Sequence, residues 1–80
     1  MRRELRYLGH GKGREHTVMV TEVRSVFNPK VLFGRTPVFR SEMFRGRLSG
    51  GEPFISLSTG QPADMVTQAE IVKFVLATLD

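Results

Sequence analysis

The sequence predicts a small α+β domain: an antiparallel sheet of about four or five strands with one C-terminal helix packed on a face. Three observations predict this fold. Runs rich in β-branched and aromatic residues occupy most of the chain before residue 59, turns containing glycine or proline separate them, and a helical pattern of apolar residues follows. A chain of 80 residues predicts a single domain over residues 1–80. It has no cysteine, so disulfides cannot reinforce its core.

The first two strands are predicted to form a hairpin. Residues 2–8 indicate a first strand, and the three glycines among residues 9–13 predict a turn after it. Residues 16–27 are dense in β-branched side chains and have apolar residues on both faces, which is typical of a central strand. A short glycine loop between two such segments favours antiparallel pairing.

The middle of the chain allows two interpretations. As a helix, residues 36–46 would have Thr36 as the N-cap, Pro37 at the first helical position and a terminating Gly46. As strands, the same residues fit equally well, because phenylalanine and valine are common in strands. We slightly favour a strand for residues 43–48 and leave residues 36–42 open.

The last third predicts a turn over residues 49–53, a short strand over 54–58, and then the C-terminal helix. Thr67 and Glu70 match the T-x-x-E capping box, which places the helix from residue 68 to about residue 79, although a start near Asp64 is an alternative. The apolar stripe at helical spacing predicts core positions, with Phe74 outside it; its members are Ile71, Val72, Val75, Leu76 and Leu79.

The charge of the chain is unevenly distributed. Twelve basic against eight acidic residues give +4; residues 1–47 carry eleven against four, or +7, and residues 48–80 carry one against four, or −3. Nine of the basic residues are arginine, whose planar fork suits phosphate and stacks on rings. A basic region of this kind is typical of nucleic-acid binders. An ordinary solvated surface on an arginine-rich protein is the alternative interpretation.

Two segments supply the candidate binding residues. Glycines in the 9–13 loop would let backbone amides approach a phosphate, although the loop lacks the Walker A spacing and is also compatible with an ordinary hairpin turn. From residue 33 to residue 47 phenylalanines alternate with arginines, as in sheet-based binders of single strands. Most of the six phenylalanines must form the core, so we expect one or two exposed. The candidate residues are Lys12, Arg14, Arg35, Arg40, Arg45 and Arg47.

No motif indicates catalysis, a metal site or a cofactor. His10 and His16 have no cysteine or clustered carboxylate near them in sequence, so we expect surface or strand-end histidines rather than metal ligands. No nucleophile motif occurs, which predicts that the chain is not an enzyme.

The leading hypothesis is therefore a non-catalytic intracellular module that binds DNA or RNA through its arginine-rich surface. The alternative is a protein-binding inhibitor or regulator, of the kind encoded by phages and mobile elements, that blocks a host complex through an acidic partner surface. No apolar run approaches the ~20 residues of a membrane span and no signal-peptide pattern is present. We therefore expect a cytoplasmic location and no membrane partner.

Overall fold

The computed structural model describes residues 2–31 and 34–79 of the chain. Four strands and one long helix follow in order, with a short 3₁₀ turn after the first strand. The sheet is antiparallel, and its four strands lie side by side in chain order, which confirms the predicted α+β fold. The elements are β1 (Arg2–His10), the 3₁₀ turn (Lys12–Arg14), β2 (His16–Phe27), β3 (Arg35–Gly46), β4 (Ile55–Ser56) and α1 (Met65–Leu79).

The β1–β2 hairpin forms through the glycine loop, as predicted. The two strands pair from Arg2 opposite Val23 to His10 opposite His16, with a bulge after Tyr7. Gly9, at this bulge, has a φ of +119°, a backbone conformation that favours glycine. The bulge ends the regular side-chain alternation of β1, so the hairpin turns within a few residues.

The ambiguous middle segment is a strand. β3 pairs with β2 along its whole length, from Gly46 opposite His16 to Arg35 opposite Phe27. The helical alternative for residues 36–46 is therefore wrong, because this long ladder outweighs the local capping pattern. Pro37 is tolerated since β4 pairs with β3 only at residues 44 and 45, which leaves Pro37 on an edge strand.

Two predicted strands are too long at their ends. β3 ends at Gly46 rather than at residue 48, and the strand predicted over residues 54–58 is limited to Ile55–Ser56. Phe54 lies just before β4 and is fully buried. A Cβ on Gly46 would lie 2.9 Å from the Phe54 ring. The close approach of Phe54 to Gly46 thus closes the core where the sheet narrows.

The core lies between one face of the sheet and α1. Side chains from β2 and β3 meet the helix there, and Phe54 completes the cluster. Because the helix covers only this side, the opposite side of the sheet, here called the open face, is exposed or half-buried throughout the described residues. One covered and one solvated face is common in antiparallel sheets. The buried apolar residues are Val18, Val20, Phe44, Phe54, Ile71 and Val75.

The helix begins earlier than the capping box predicts. It starts at Met65, and the carboxylate Oδ1 of Asp64 accepts a hydrogen bond of 2.8 Å from the backbone amide of Thr67. Asp64 is therefore the N-cap, the alternative start is correct, and the cap at Thr67 is wrong. Hydrogen bonding by the Thr67 side chain and then by its amide lowers the pKa of the Asp64 carboxyl. Thr67 itself is buried in the first helical turn.

The predicted helix stripe has the correct period but the wrong phase. Ile71 and Val75 are fully buried, as predicted, whereas Leu76 is 52% and Leu79 54% exposed. Leu76 is therefore not a core residue. The residues that face the sheet follow the i, i+4 series from Thr67 through Ile71 to Val75, and Leu76 lies about 100° farther round the helix.

The β2–β3 hairpin extends well beyond the core. β1 begins at Arg2, opposite Val23, so β2 beyond Val23 has no third strand beside it. We call residues 23–40 the arm. The Cα radius of gyration is 15.1 Å and the extents are 49 × 28 × 21 Å, whereas a compact domain of this length has a radius of gyration of about 12 Å. The projecting arm accounts for this elongation.

Candidate nucleic-acid interface

The six predicted binding residues form two groups along the sheet. Arg35 and Arg40 belong to the arm. Arg35 is opposite Phe27 at the far end of β2, and Arg40 is opposite Glu22 near its middle. The strand rise places Arg35 about 33 Å and Arg40 about 17 Å from Arg45 along β3. All six side chains are exposed. The second group, here called the loop group, consists of Lys12, Arg14, Arg45 and Arg47.

Glu15 lies among the arginines of the loop group. Its carboxylate is 3.7 Å from Nε of Arg45 and 3.9 Å from Nη2 of Arg47, so these two arginines do come together. The Arg47 guanidinium also packs over the backbone of Gly13, where an added Cβ would lie 2.5 Å from Nη2. Glu15 thus partly neutralises this end of the sheet.

The glycine loop is folded into a defined turn. The amide of Gly11 donates a 2.8 Å hydrogen bond to the carbonyl of Glu15. Gly13 and Arg14 both have positive φ, +68° and +64°. For arginine this conformation costs roughly 1–2 kcal/mol relative to the right-handed region. Lys12 and Arg14 form no ion pair with another described residue.

The arm is a continuous basic element. Between Glu22 and Glu42 the sequence has four cations and no acid: Arg24, Lys30, Arg35 and Arg40. All four are exposed, and none belongs to an ion pair among residues 2–31 and 34–79. The predicted set lacks Arg24 and Lys30, although the acid-free run that contains them is visible in the sequence.

The two faces of the arm differ in chemistry. On the side that continues the covered face, Arg24, Val38 and Arg40 line a shallow depression together with Glu22. On the open face, Phe27 and Phe39 are 70% and 61% exposed.

Among the described phenylalanines, these two are the exposed ones, which agrees with the expectation of one or two as far as the described residues go. Phe44 and Phe54 are buried and Phe74 packs partly against the core. Phe33, part of the predicted aromatic and arginine pattern, lies outside the described residues. Phe27 was not in that pattern, and its strand-end position next to Asn28 and Pro29 is the signal that could have suggested exposure.

Hydrogen bonds hold the shape of the arm. Arg35 donates from Nε to the Ser25 hydroxyl at 2.8 Å and from Nη2 to the Ser25 carbonyl at 2.7 Å. At the turn, Asn28 donates to the Thr36 hydroxyl at 3.3 Å and accepts from the amide of Lys30 at 3.0 Å. The guanidinium of Arg35 is therefore fixed against the neighbouring strand.

Both histidines lie at strand ends. His10 is exposed at the end of β1, and His16 is buried at the start of β2. The Tyr7 hydroxyl and Nδ1 of His16 form a hydrogen bond of 2.9 Å, which satisfies the buried ring. The described part of the chain contains no group of three or more histidine, cysteine or carboxylate residues that could hold a metal ion.

The chain is thus a small α+β domain with a four-stranded antiparallel sheet, one helix and a projecting basic arm. Comparisons with protein families, with curated proteins and with solved structures find no match to this chain. Within residues 2–31 and 34–79, no helix has the length and apolar character needed to cross a membrane.

Proposed function

We propose that the chain is a non-catalytic module that binds nucleic acid in the cytoplasm, with the arm as its principal contact. The observation that carries this proposal is the charge of the arm: four exposed cations, no acid, and no ion pair to any of the four among the described residues. Each phosphate that such a cation neutralises releases counterions, which favours binding to a polyanion.

The arm is a stronger candidate than the loop group. Two of the four loop cations already face Glu15, so a phosphate would compete with a carboxylate for them. Lys12 and Arg14 remain a second contact region. Because about 17 Å of strand separates Arg40 from Arg45 and about 33 Å separates Arg35 from Arg45, a ligand that spans both regions is a polymer rather than a nucleotide.

The test is the salt dependence of binding, measured by fluorescence anisotropy with labelled DNA and RNA oligonucleotides. Four phosphate contacts predict a slope of log K against log salt of about −3 to −4. Affinity should then fall about 50- to 150-fold between 50 and 200 mM salt. Replacing Arg24, Arg35 or Arg40 by glutamine should weaken binding about equally for different sequences and reduce the slope by about 1.

Arg45→Gln and Arg47→Gln provide a matched control in the loop group. They remove the same charge, but Glu15 already occupies these guanidinium groups, so we expect smaller losses than from the arm variants. Absence of binding to DNA and RNA at about 50 mM salt would refute the proposal. Larger losses from the loop variants would transfer the principal contact to that end.

One observation favours the second candidate, a protein-binding inhibitor or regulator of phage or mobile-element type. Outside the core-facing side of α1, Met65, Leu76 and Leu79 are 89%, 52% and 54% exposed, and they lie on one side of the helix. Exposed apolar helix faces are common docking surfaces. Capture of lysate partners by the tagged chain, with and without nuclease, separates the candidates. A single protein that survives nuclease and is lost with Leu76→Lys would support the regulator.

A further inference from the structure

We infer that the nucleic acid bound by the arm is single-stranded, and that Phe27 and Phe39 stack on its unpaired bases. This inference rests on the proposed function and names its ligand class. The observation behind it is the exposure of the two phenylalanine rings, which lie outside the core. At 70% and 61% exposure, they contribute little to the core and incur the cost of hydrated apolar surface.

The register places both rings on the open face of the arm. Phe27 is opposite Arg35, and Phe39 is opposite Val23. The pair of Ser25 with Pro37 lies between them. These intervening side chains are small, and the strand rise separates the two rings by about 13 Å along the arm. Each ring can therefore receive a base without obstruction by the other.

Arg35 supplies a cation beside the rings. Its Nε and Nη2 are held by Ser25, which leaves Nη1 without a hydrogen bond among the described residues. A fixed guanidinium loses little conformational entropy when it binds a phosphate. The open face of the arm thus combines two stacking surfaces with one oriented cation, the combination by which single-strand binders hold bases and backbone.

The chemistry disfavours a duplex as the ligand. In a duplex the bases are already stacked on each other, and proteins identify them by hydrogen bonds to base edges in the grooves. Phenylalanine has no donor or acceptor for those edges. Unpaired bases, in contrast, offer their faces to aromatic side chains.

Charge disfavours a second copy of this chain as the occupant. Two arms that packed together would bring eight cations and no acid into contact, twice the four of one arm. Like charges brought into contact repel each other, whereas a polyanion neutralises them. The exposed rings and the charge of the arm therefore point to the same ligand.

The experiment compares a labelled single strand with a duplex of the same sequence by anisotropy at low salt. Phe27→Ala and Phe39→Ala should each weaken single-strand binding by roughly 5- to 150-fold, the range for loss of one stacked base, and should change duplex binding by less than twofold. Met43→Ala is the matched control, because Met43 is also an exposed apolar residue of β3 but lies outside the arm. It should leave both affinities unchanged.

A measurement on the unmodified chain does not depend on the folding of variants. If bases stack on the rings, the ring proton resonances of Phe27 and Phe39 should move upfield when the single strand is added, and those of the buried Phe44 should not. The inference is overturned if the alanine variants bind the single strand as the parent does, or if the duplex binds more tightly. In those cases loss of binding by Arg35→Gln would leave the proposed function intact. Binding only to vesicles of anionic lipid would overturn both.

Discussion

Val75 provides a direct test of how the helix packs on the sheet. Its side chain is fully buried in the core cluster, and Val75→Ala deletes two methyl groups there. The transfer free energy of two such groups is about 1.6 kcal/mol, and incomplete closure of the cavity adds to it. The higher helix propensity of alanine offsets a few tenths of a kcal/mol. We therefore expect a loss of about 2 kcal/mol in the free energy of unfolding.

The assay is thermal and urea unfolding followed by far-UV circular dichroism. For a domain of this length, about 2 kcal/mol corresponds to a fall in Tm of about 8–16 °C. Leu76→Ala is the control, since it changes the next residue of the same helix but removes a side chain that is 52% exposed. Its loss should be less than about 1 kcal/mol. Equal losses for the two variants, or a larger loss for Leu76, would refute the helix phase described above.

Three further predictions concern stability and are measured by the same unfolding experiments. Tyr7→Phe removes the hydrogen bond to Nδ1 of the buried His16 and should cost about 1 kcal/mol; an unchanged Tm would contradict the bond. Gly46→Ala places a Cβ 2.9 Å from the ring and 3.1 Å from the Cα of Phe54 and should cost about 1–3 kcal/mol by overpacking; a neutral result would show that Phe54 can move away. The pKa of Asp64 is lowered from its ordinary value of 3.8, so the ionised carboxylate stabilises the folded state. This stabilisation is fully present above pH 3.8 and is lost as the pH falls through the folded-state pKa. The Tm difference between the parent and Asp64→Asn should therefore narrow in acid, and a constant difference would argue against the ionised cap.

The sequence predicts the fold class because local patterns and tertiary packing agree over most of the chain. The glycine loop and the β-branched run before Phe27 favour the same hairpin that the structure contains. Over residues 36–46 they disagree: Thr36 and Pro37 favour a helix start, but the ladder with β2 decides for a strand. The pairing with β2 resolves this conflict, and the sequence of residues 36–46 alone does not show that pairing.

The start and the phase of α1 were predicted wrongly for a second reason. Asp64 and Thr67 are both good N-caps, and a choice between them depends on which side of the helix must face the sheet. Because Thr67 is buried against the sheet, the start moves back to Met65. The apolar residues of α1 span more of its circumference than the core covers, so periodicity alone does not identify Leu76 as exposed.

The predicted residues cover only part of the candidate site, because they include Arg35 and Arg40 of the arm but not Arg24 and Lys30. The sequence indicates which cations exist, and the register separates them into the loop group and the arm. Glu15 is distant from Arg45 and Arg47 in sequence, yet it lies within 4 Å of both guanidinium groups. Such pairing depends on strands that meet only after folding.

The hydrophobic core and the proposed binding surface occupy different parts of this chain. Within residues 23–31 and 34–40, no side chain is buried, so the arm adds little to the hydrophobic free energy that stabilises the core. A two-stranded hairpin without a third strand or a helix on its face is only marginally stable in water. The arm therefore depends on its internal hydrogen bonds for order. The proposed ligand, if it binds only the ordered arm, would stabilise it by mass action. Phe39→Ala should then weaken binding while the core, and hence the Tm, stays unchanged.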